Sequence, residues 1–600
     1  MAALIRRHVL YDIIALAVCL AGILGLIAFF ALMKTRGYTA PRPLFLFLLT
    51  MVAAPYLIAL RRQPKLLYLV PAIVVVFLMY PIAAPHGMVF YRDPIFNYQF
   101  SLGVIDHQSW IPGLGTAYSR AYSYYPVGNI FISVVTLIMK APPQEAYIWI
   151  EPLARLAVIP GAVYSIGRRI FTSRVATLGL FFYLGSASIL FNVPLQMGNG
   201  TLFFALAVLS IVIARRNTGM NKWRIYALYS IFAATIVMTH HLSSYLFAVW
   251  MMVTVVLTYL PSLKGFSSRL EVFLSFEVYI LAFASYVIVT TSGLVLKQTE
   301  DLEAFISNFI EPQGIKSTPV SLGRSFALYE TIWLAGAVLG ILFLAYLATM
   351  RLRRSKQNKL AVALTLSAAF LIMTTLPLMA TSLSYIPLRM SEYSNLLLAP
   401  MAATTILSYI GNEQDTSKVR FLSKLKFLHR IRLGRKKKTL VAAGLMAVIF
   451  MGGSLAPITA RQYFEPIEYR ITDSPFNIGQ DSSRAADYAK IHFGSSRVWS
   501  DQMGVTVFGG FATMEIDWGH YVFFEKTQLD ARAWSHLKVG DYIVVNKFMT
   551  LERPEFLDLT GPTTKLNQSV VMKFNNYPEL ALAYQDATFS IYRVMSIYSP

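Results

Sequence analysis

Cysteine is almost missing from this 600-residue chain: its one thiol, Cys19, falls inside an apolar run. No intrachain disulfide can form, and dithiol redox chemistry is excluded. Charge is scarce as well, at 14% of residues, with 31 Asp and Glu against 53 Lys and Arg. Soluble domains carry about 25% charged residues. At 56% hydrophobic residues and a mean hydropathy of +0.53, the chain is too apolar for a soluble enzyme of its length. Neither an internal repeat nor a low-complexity tract is present, which argues against a transporter built from inverted repeats.

What the chain does have is a series of apolar runs of about 20 residues, the length that crosses a bilayer as a helix. They fall at roughly 10–33, 43–60, 66–84, 147–167, 175–191, 200–214, 225–239, 243–260, 271–294, 326–350, 360–383, 393–410 and 439–457, which predicts a polytopic α-helical membrane protein with about thirteen crossings. The first run is too long for a cleavable signal and is read as a signal anchor.

Lys and Arg are retained on the cytoplasmic side of a membrane. They concentrate around Arg6/Arg7, Arg61/Arg62/Lys65, Arg168/Arg169/Arg174, Arg215 to Arg224, Lys264/Arg269, 351–359 and 418–438. Those loops share one side when the N-terminus is cytoplasmic. This predicts an integral plasma-membrane protein, and it accounts for the net charge of +22 without nucleic acid as a partner. Residues 126–140 are apolar but short, and counting them as a crossing would break the charge asymmetry. They read as an interfacial helix within a long external loop, 85–146.

After residue 460 the composition changes. Alternating runs such as DYIVVNK and TFSIYRV, and the helix-like SSRAADYAKIHFG, predict a small α/β domain over 461–600 on the extracytoplasmic side, following a membrane domain over 1–460.

Several residues carry chemistry. Asp93, in FYRDPIFNYQF, stands at the mouth of the external loop beside Arg92, where an acid is costly to hold and persists for catalysis or ion binding. Asp106 and His107 lie on the same loop and, with Asp93, are candidate ligands for a divalent cation such as Mg or Mn. His240 and His241, in MTHHLSSY, sit at the external edge of a span. Arg389, in SYIPLRMSEYSNLLLAP, is placed to grip phosphate oxygens, with Glu392 one turn on as its alternative ion-pair partner. The acids of loop 295–325, Glu300, Asp301, Glu303 and Glu311, read as a solvated face. Asn199-Gly200-Thr201 and Asn567-Gln568-Ser569 are glycosylation sequons.

An acid in a large external loop, then Tyr124-Tyr125-Pro126 opening an interfacial helix, then a span ending in YSIGRRIFTSR, resembles the GT-C superfamily of membrane glycosyltransferases. Within it, the chain resembles the protein O-mannosyltransferase and aminoarabinose transferase type. DPIFNYQ over 93–99 is also similar to a string in the catalytic subunit of oligosaccharyltransferase, but IDWGHY over 516–521 lacks the paired tryptophans of that family's WWDYG motif. The turn NVPLQMGNGT, where many such enzymes carry a further acid, has Gln196 and Asn199 instead.

The resemblance implies a glycosyltransferase that moves a sugar from a polyprenyl-phosphate carrier to a glycan, protein or lipid acceptor on the extracytoplasmic face. Asp93 would be the general base, with Arg389, Arg92, Asp106, His107, His240, His241, Tyr125 and Glu392 as candidate substrate-binding residues. The alternatives are an oligosaccharyltransferase or glycan ligase using a lipid diphosphate, a lipid or polysaccharide transporter lined by intramembrane groups such as Arg155, Glu277 and Glu330, and a non-catalytic scaffold.

Overall fold

In the computed structural model, residues 2–36, 42–83, 92–112, 123–185, 196–215, 219–259, 269–290, 328–352, 359–375, 385–411, 434–454, 478–512, 514, 516–518, 521–552, 554 and 565–597 are described. Before residue 455 they are almost entirely helical: α1 (Ala2–Arg36), α2 (Arg42–Val52), α3 (Val70–Ala83), α4 (Arg92–His107), α5 (Val127–Met139), α6 (Pro143–Ile170), α7 (Ser173–Leu184), α8 (Gln196–Ala214), α9 (Gly219–Thr239), α10 (His241–Thr258), α11 (Arg269–Thr290), α12 (Leu328–Leu352), α13 (Lys359–Thr375), α14 (Tyr385–Ile410) and α15 (Arg435–Ser454).

Among the described residues, the apolar runs read from the sequence fall on helix. Among the described residues, Val9–Leu32, Glu145–Ile170 and Leu270–Ile288 are long and apolar enough to cross a membrane, and the other apolar helices are shorter. The run expected at 43–60 is not one α-helix. Pro55 has no N–H to donate to the Met51 carbonyl four residues back, and the chain continues from α2 as a 3₁₀ helix over Ala54–Leu60.

The bundle core is continuous from Cys19 to Phe450. Close approach depends on small residues. At Gly179 of α7 a Cβ would come 2.9 Å from the Cα of Pro400 in α14, so any side chain there would push the two helices apart. At one pole, the Arg174 Nε donates to the Ala59 carbonyl at 2.6 Å, and Arg62 pairs with Asp12.

At the other pole α4 and α5 pair through small polar residues. The Ser133 hydroxyl donates to the Ser101 carbonyl at 2.9 Å, and Asn129, Ser133 and Thr136 are buried. This leaves Ile130, Phe131, Val134, Leu137 and Ile138 on the outer face of α5, spaced as one helical stripe and exposed.

The C-terminal unit is a five-stranded mixed sheet with α16 (Gln480–His492) on it. Its strands are β1 (Val498–Ser500), β2 (Ile516–Trp518), β3 (Tyr542–Asn546), β4 (Leu580–Gln585) and β5 (Phe589–Val594), in the spatial order β2-β1-β3-β5-β4. β1 runs parallel to β2 and β3, and β5 is antiparallel to β3 and β4. Asp501 fixes the chain leaving β1 by accepting the Gly504 N–H at 3.1 Å and the Asn546 Nδ2 at 3.2 Å. Phe493 stacks on Tyr542 with ring centroids 3.8 Å apart.

This sheet is not tethered loosely. One core cluster holds Tyr98 of α4, Ile132 of α5 and Tyr147 of α6 together with Phe493, Val507, Phe508 and Ile591 of the C-terminal unit. The Tyr98 ring lies 5.8 Å from Tyr147 and 6.5 Å from Phe511. Burial pushes the Tyr98 phenol above its ordinary pKa, and the charge of Asp106 adds to the shift.

Lys573 is a buried cation in the C-terminal unit, donating to the Lys526 carbonyl. Burial lowers its pKa to about 8, against a weaker opposing pull from Asp530. Between that value and an unfolded lysine near 10.4 the unfolded chain binds more protons, so stability rises with pH across this window. Lys573→Met is expected to raise the melting temperature below pH 8 and to flatten the rise above it, as read by thermal denaturation from pH 6 to 10.

Candidate active site

Helices α6, α8, α10 and α14 meet around a pair of charges held out of water. Arg155 of α6 donates through Nη2 to Glu392 Oε1 of α14, with the two side chains 0% and 2% exposed. Glu151 precedes Arg155 by four residues, so the two project from the same face of α6. Both bear on the first turn of α8. A Cβ at Gly198 would come 2.0 Å from Glu151 Oε1 and 3.1 Å from Arg155 Nη1, so only glycine fits there.

The next helix end is laid against the first. A Cβ at Gly200 would lie 2.2 Å from the Ser243 hydroxyl of α10. Ser243 and the Tyr393 hydroxyl of α14 share a 2.7 Å hydrogen bond, and the Ser243 N–H points at His240 Nδ1 from 3.4 Å, so His240 caps α10. The ring of Tyr125, at the entry to α5, lies 6.4 Å from the His240 ring. A continuous line of polar and aromatic groups therefore leads from the 92–139 segment down to the ion pair.

The N-terminus of α10, capped by His240, presents the positive end of a helix dipole. Arg155 adds a full charge, and its Nε and Nη1 make no hydrogen bond among the described residues. Helix N-termini with spare N–H donors attract anions. Glu151 and Glu392 supply the negative charge that keeps this cluster affordable inside an apolar bundle.

Of the residues singled out in the sequence, Tyr125, His240 and Glu392 are brought together here, all buried. Arg92 and Asp93 fall in the first turn of α4, His241 is the first residue of α10, and Arg389 lies on α14 one turn before Glu392. The side chains of these four lie outside the described set, as do that of Glu330 and the loop 295–325.

Glu392 pairs with Arg155, a residue of another helix. One expectation is corrected. Asp106 and His107 are exposed in the last turn of α4, which Gln108 closes at φ 52°. Thirteen residues of continuous helix at 1.5 Å each put Asp106 roughly 20 Å from Asp93, too far for the two to share an ion. Among the described residues no group of three His, Cys, Asp or Glu side chains could hold a metal.

Sequence reading missed Glu151, Ser243, Tyr393 and the two glycines, and treated Arg155 only as an intramembrane charge. The available signal was EPLAR over 151–155: an acid and a base one turn apart in an apolar helix. A shallow depression between α4 and α5 is lined in part by Phe100, Trp110, Ser123 and Asn129, with the Trp110 Nε1 donating to the Ser123 carbonyl at 2.7 Å.

A crystal structure of ArnT from Cupriavidus metallidurans bound to undecaprenyl phosphate aligns over 89% of this chain and 99% of its own, at 11% identity and a TM-score of 0.49. The apo form of the same protein aligns over 88% and 97%, at 12% identity and a TM-score of 0.47. No family model and no curated protein matches the chain.

Breaking one side of a buried ion pair costs about 3–5 kcal/mol, because the remaining charge is left without compensation. Glu392→Gln should lower thermal stability by an amount of that order. Arg155→Met combined with Glu392→Leu should recover most of it, as measured by melting of the purified protein in detergent.

Proposed function

We propose that this protein is a glycosyltransferase that moves a sugar from a polyprenyl-phosphate carrier to an acceptor on the extracytoplasmic face of the membrane, with Asp93 as general base. The reading is supported by a buried cluster of polar groups in an apolar bundle, Arg155 with Glu392 and the line Tyr125, His240, Ser243 and Tyr393, on and beside the helix that carries Arg389. Arg155 is balanced by Glu392 and Glu151, so the cation that meets a departing phosphate in this reading is Arg389.

In this reading the outward apolar stripe of α5 rests in the interface, and the isoprenoid tail lies in the adjoining lipid. Arg389 receives the carrier phosphate, a role its planar fork of donors suits. Asp93 takes the proton from the acceptor hydroxyl. The acceptor oxygen bonds to the anomeric carbon as the bond from that carbon to the phosphate oxygen breaks, and the electron pair leaves with the carrier. A single displacement of this kind inverts the anomeric centre. Tyr125 and His240 line the approach, and the C-terminal unit, packed on α4, is placed to present the acceptor.

Loss of a positioned general base typically removes 10²–10⁴-fold in rate. Asp93→Asn is expected to abolish carrier-dependent release of sugar from a panel of labelled polyprenyl-phosphate sugars, within about that range, while the melting temperature stays at the wild-type value. Full activity in the variant would remove Asp93 from the mechanism, and a product of retained configuration would rule out the single displacement.

A further inference from the structure

Among the described residues, nothing covers one face of α11. Its inner face is satisfied: Val272, Ser275 and Tyr279 are buried, the Tyr229 hydroxyl of α9 donates to the Ser275 carbonyl at 2.6 Å, and the Tyr279 hydroxyl donates to the Ser244 carbonyl of α10 at 2.6 Å. The opposite face presents Leu270, Leu274, Leu281 and Ile288, exposed by 67%, 46%, 64% and 76%. Glu277 is exposed on the same stripe and has neither an ion pair nor a hydrogen bond among the described residues.

The spacing is that of a helix-pairing seam. Positions 270, 274, 277, 281 and 288 follow the alternating four- and three-residue steps of a heptad repeat, with Ala284 filling the remaining step. A seam of this kind accepts one further helix by knobs-into-holes packing, and a single polar residue within it sets the register.

Glu277 supplies the reason for a partner. It lies seven residues inside the span from Leu270, roughly 10 Å from that end. Its short side chain cannot reach the interface from such a depth as lysine or arginine can. An acid facing hydrocarbon is costly and is ordinarily paired.

We propose that this face docks a membrane-spanning helix of another polypeptide that carries a lysine or arginine at the depth of Glu277. The charge pair supplies specificity and the leucine seam supplies packing, since apolar contact alone drives little association between helices already in lipid. This docking is independent of the transfer reaction and of the pole where the Arg155 cluster lies.

The test uses the full-length protein, labelled at its N-terminus, in liposomes with dye-labelled helical peptides of about 21 leucine and alanine residues. One peptide carries a central lysine, one a glutamine and one a leucine in its place. Energy transfer should report association of the lysine peptide about tenfold tighter than that of the leucine peptide. Glu277→Gln should abolish that preference, while Leu274→Ala with Leu281→Ala should weaken binding several-fold and keep the preference. Equal transfer for all three peptides would overturn the proposal, as would an unchanged preference in Glu277→Gln or self-association of the protein through Glu277 that excludes the lysine peptide.

Discussion

The contact on which the membrane part turns is the ion pair between Arg155 and Glu392. Neither charge survives alone in an apolar bundle, so each fixes the helix of the other: α6 cannot rotate without stranding Arg155, nor α14 without stranding Glu392. Glu151, one turn from Arg155, sets how closely α8 must start, and Gly198 is the residue that allows it. Gly200, Ser243 and Tyr393 then bring α10 into the same register. A chain of steric and electrostatic requirements thus holds α6, α8, α10 and α14 in one arrangement.

The second constraint is the shared core between the C-terminal sheet and the α4 to α6 segment. Tyr98, Ile132 and Tyr147 are buried only because Phe493, Val507 and Phe508 cover them. That core holds α4, whose first turn carries Asp93, between the sheet on one side and α5 on the other. The α4–α5 contact is made by serine and asparagine, which keeps the larger apolar residues of α5 on its outer surface.

The helical class, the position of each apolar run, and the mixed sheet at the C-terminus were legible because hydropathy and alternation report burial directly. Residues 126–140 read as a short helix and are one, over Val127–Met139. The break at Pro55 was missed because a proline inside an apolar run does not reveal whether it bends a span or ends it. The site was only partly legible. Tyr125, His240 and Glu392 stood out because polar residues beside spans are expensive, yet their true partners come from helices far apart in sequence. Asp106 and His107 misled because a loop was assumed where continuous helix separates them from Asp93. Gly198 carried no signal, since its importance lies in what a missing Cβ makes room for.

The shared core also orders the assembly of the molecule in time. Its helical half, on α4, α5 and α6, is synthesised early and emerges with Tyr98, Ile132 and Tyr147 uncovered. Its other half is made only after all the intervening helices. The C-terminal sheet can close this core only if the intervening helices have been inserted with the right count and hand, because otherwise it lies on the wrong side of the membrane from its template. Completion of the fold is therefore a check on insertion, and a molecule with a misplaced helix would keep an exposed apolar surface that quality-control proteases can recognise.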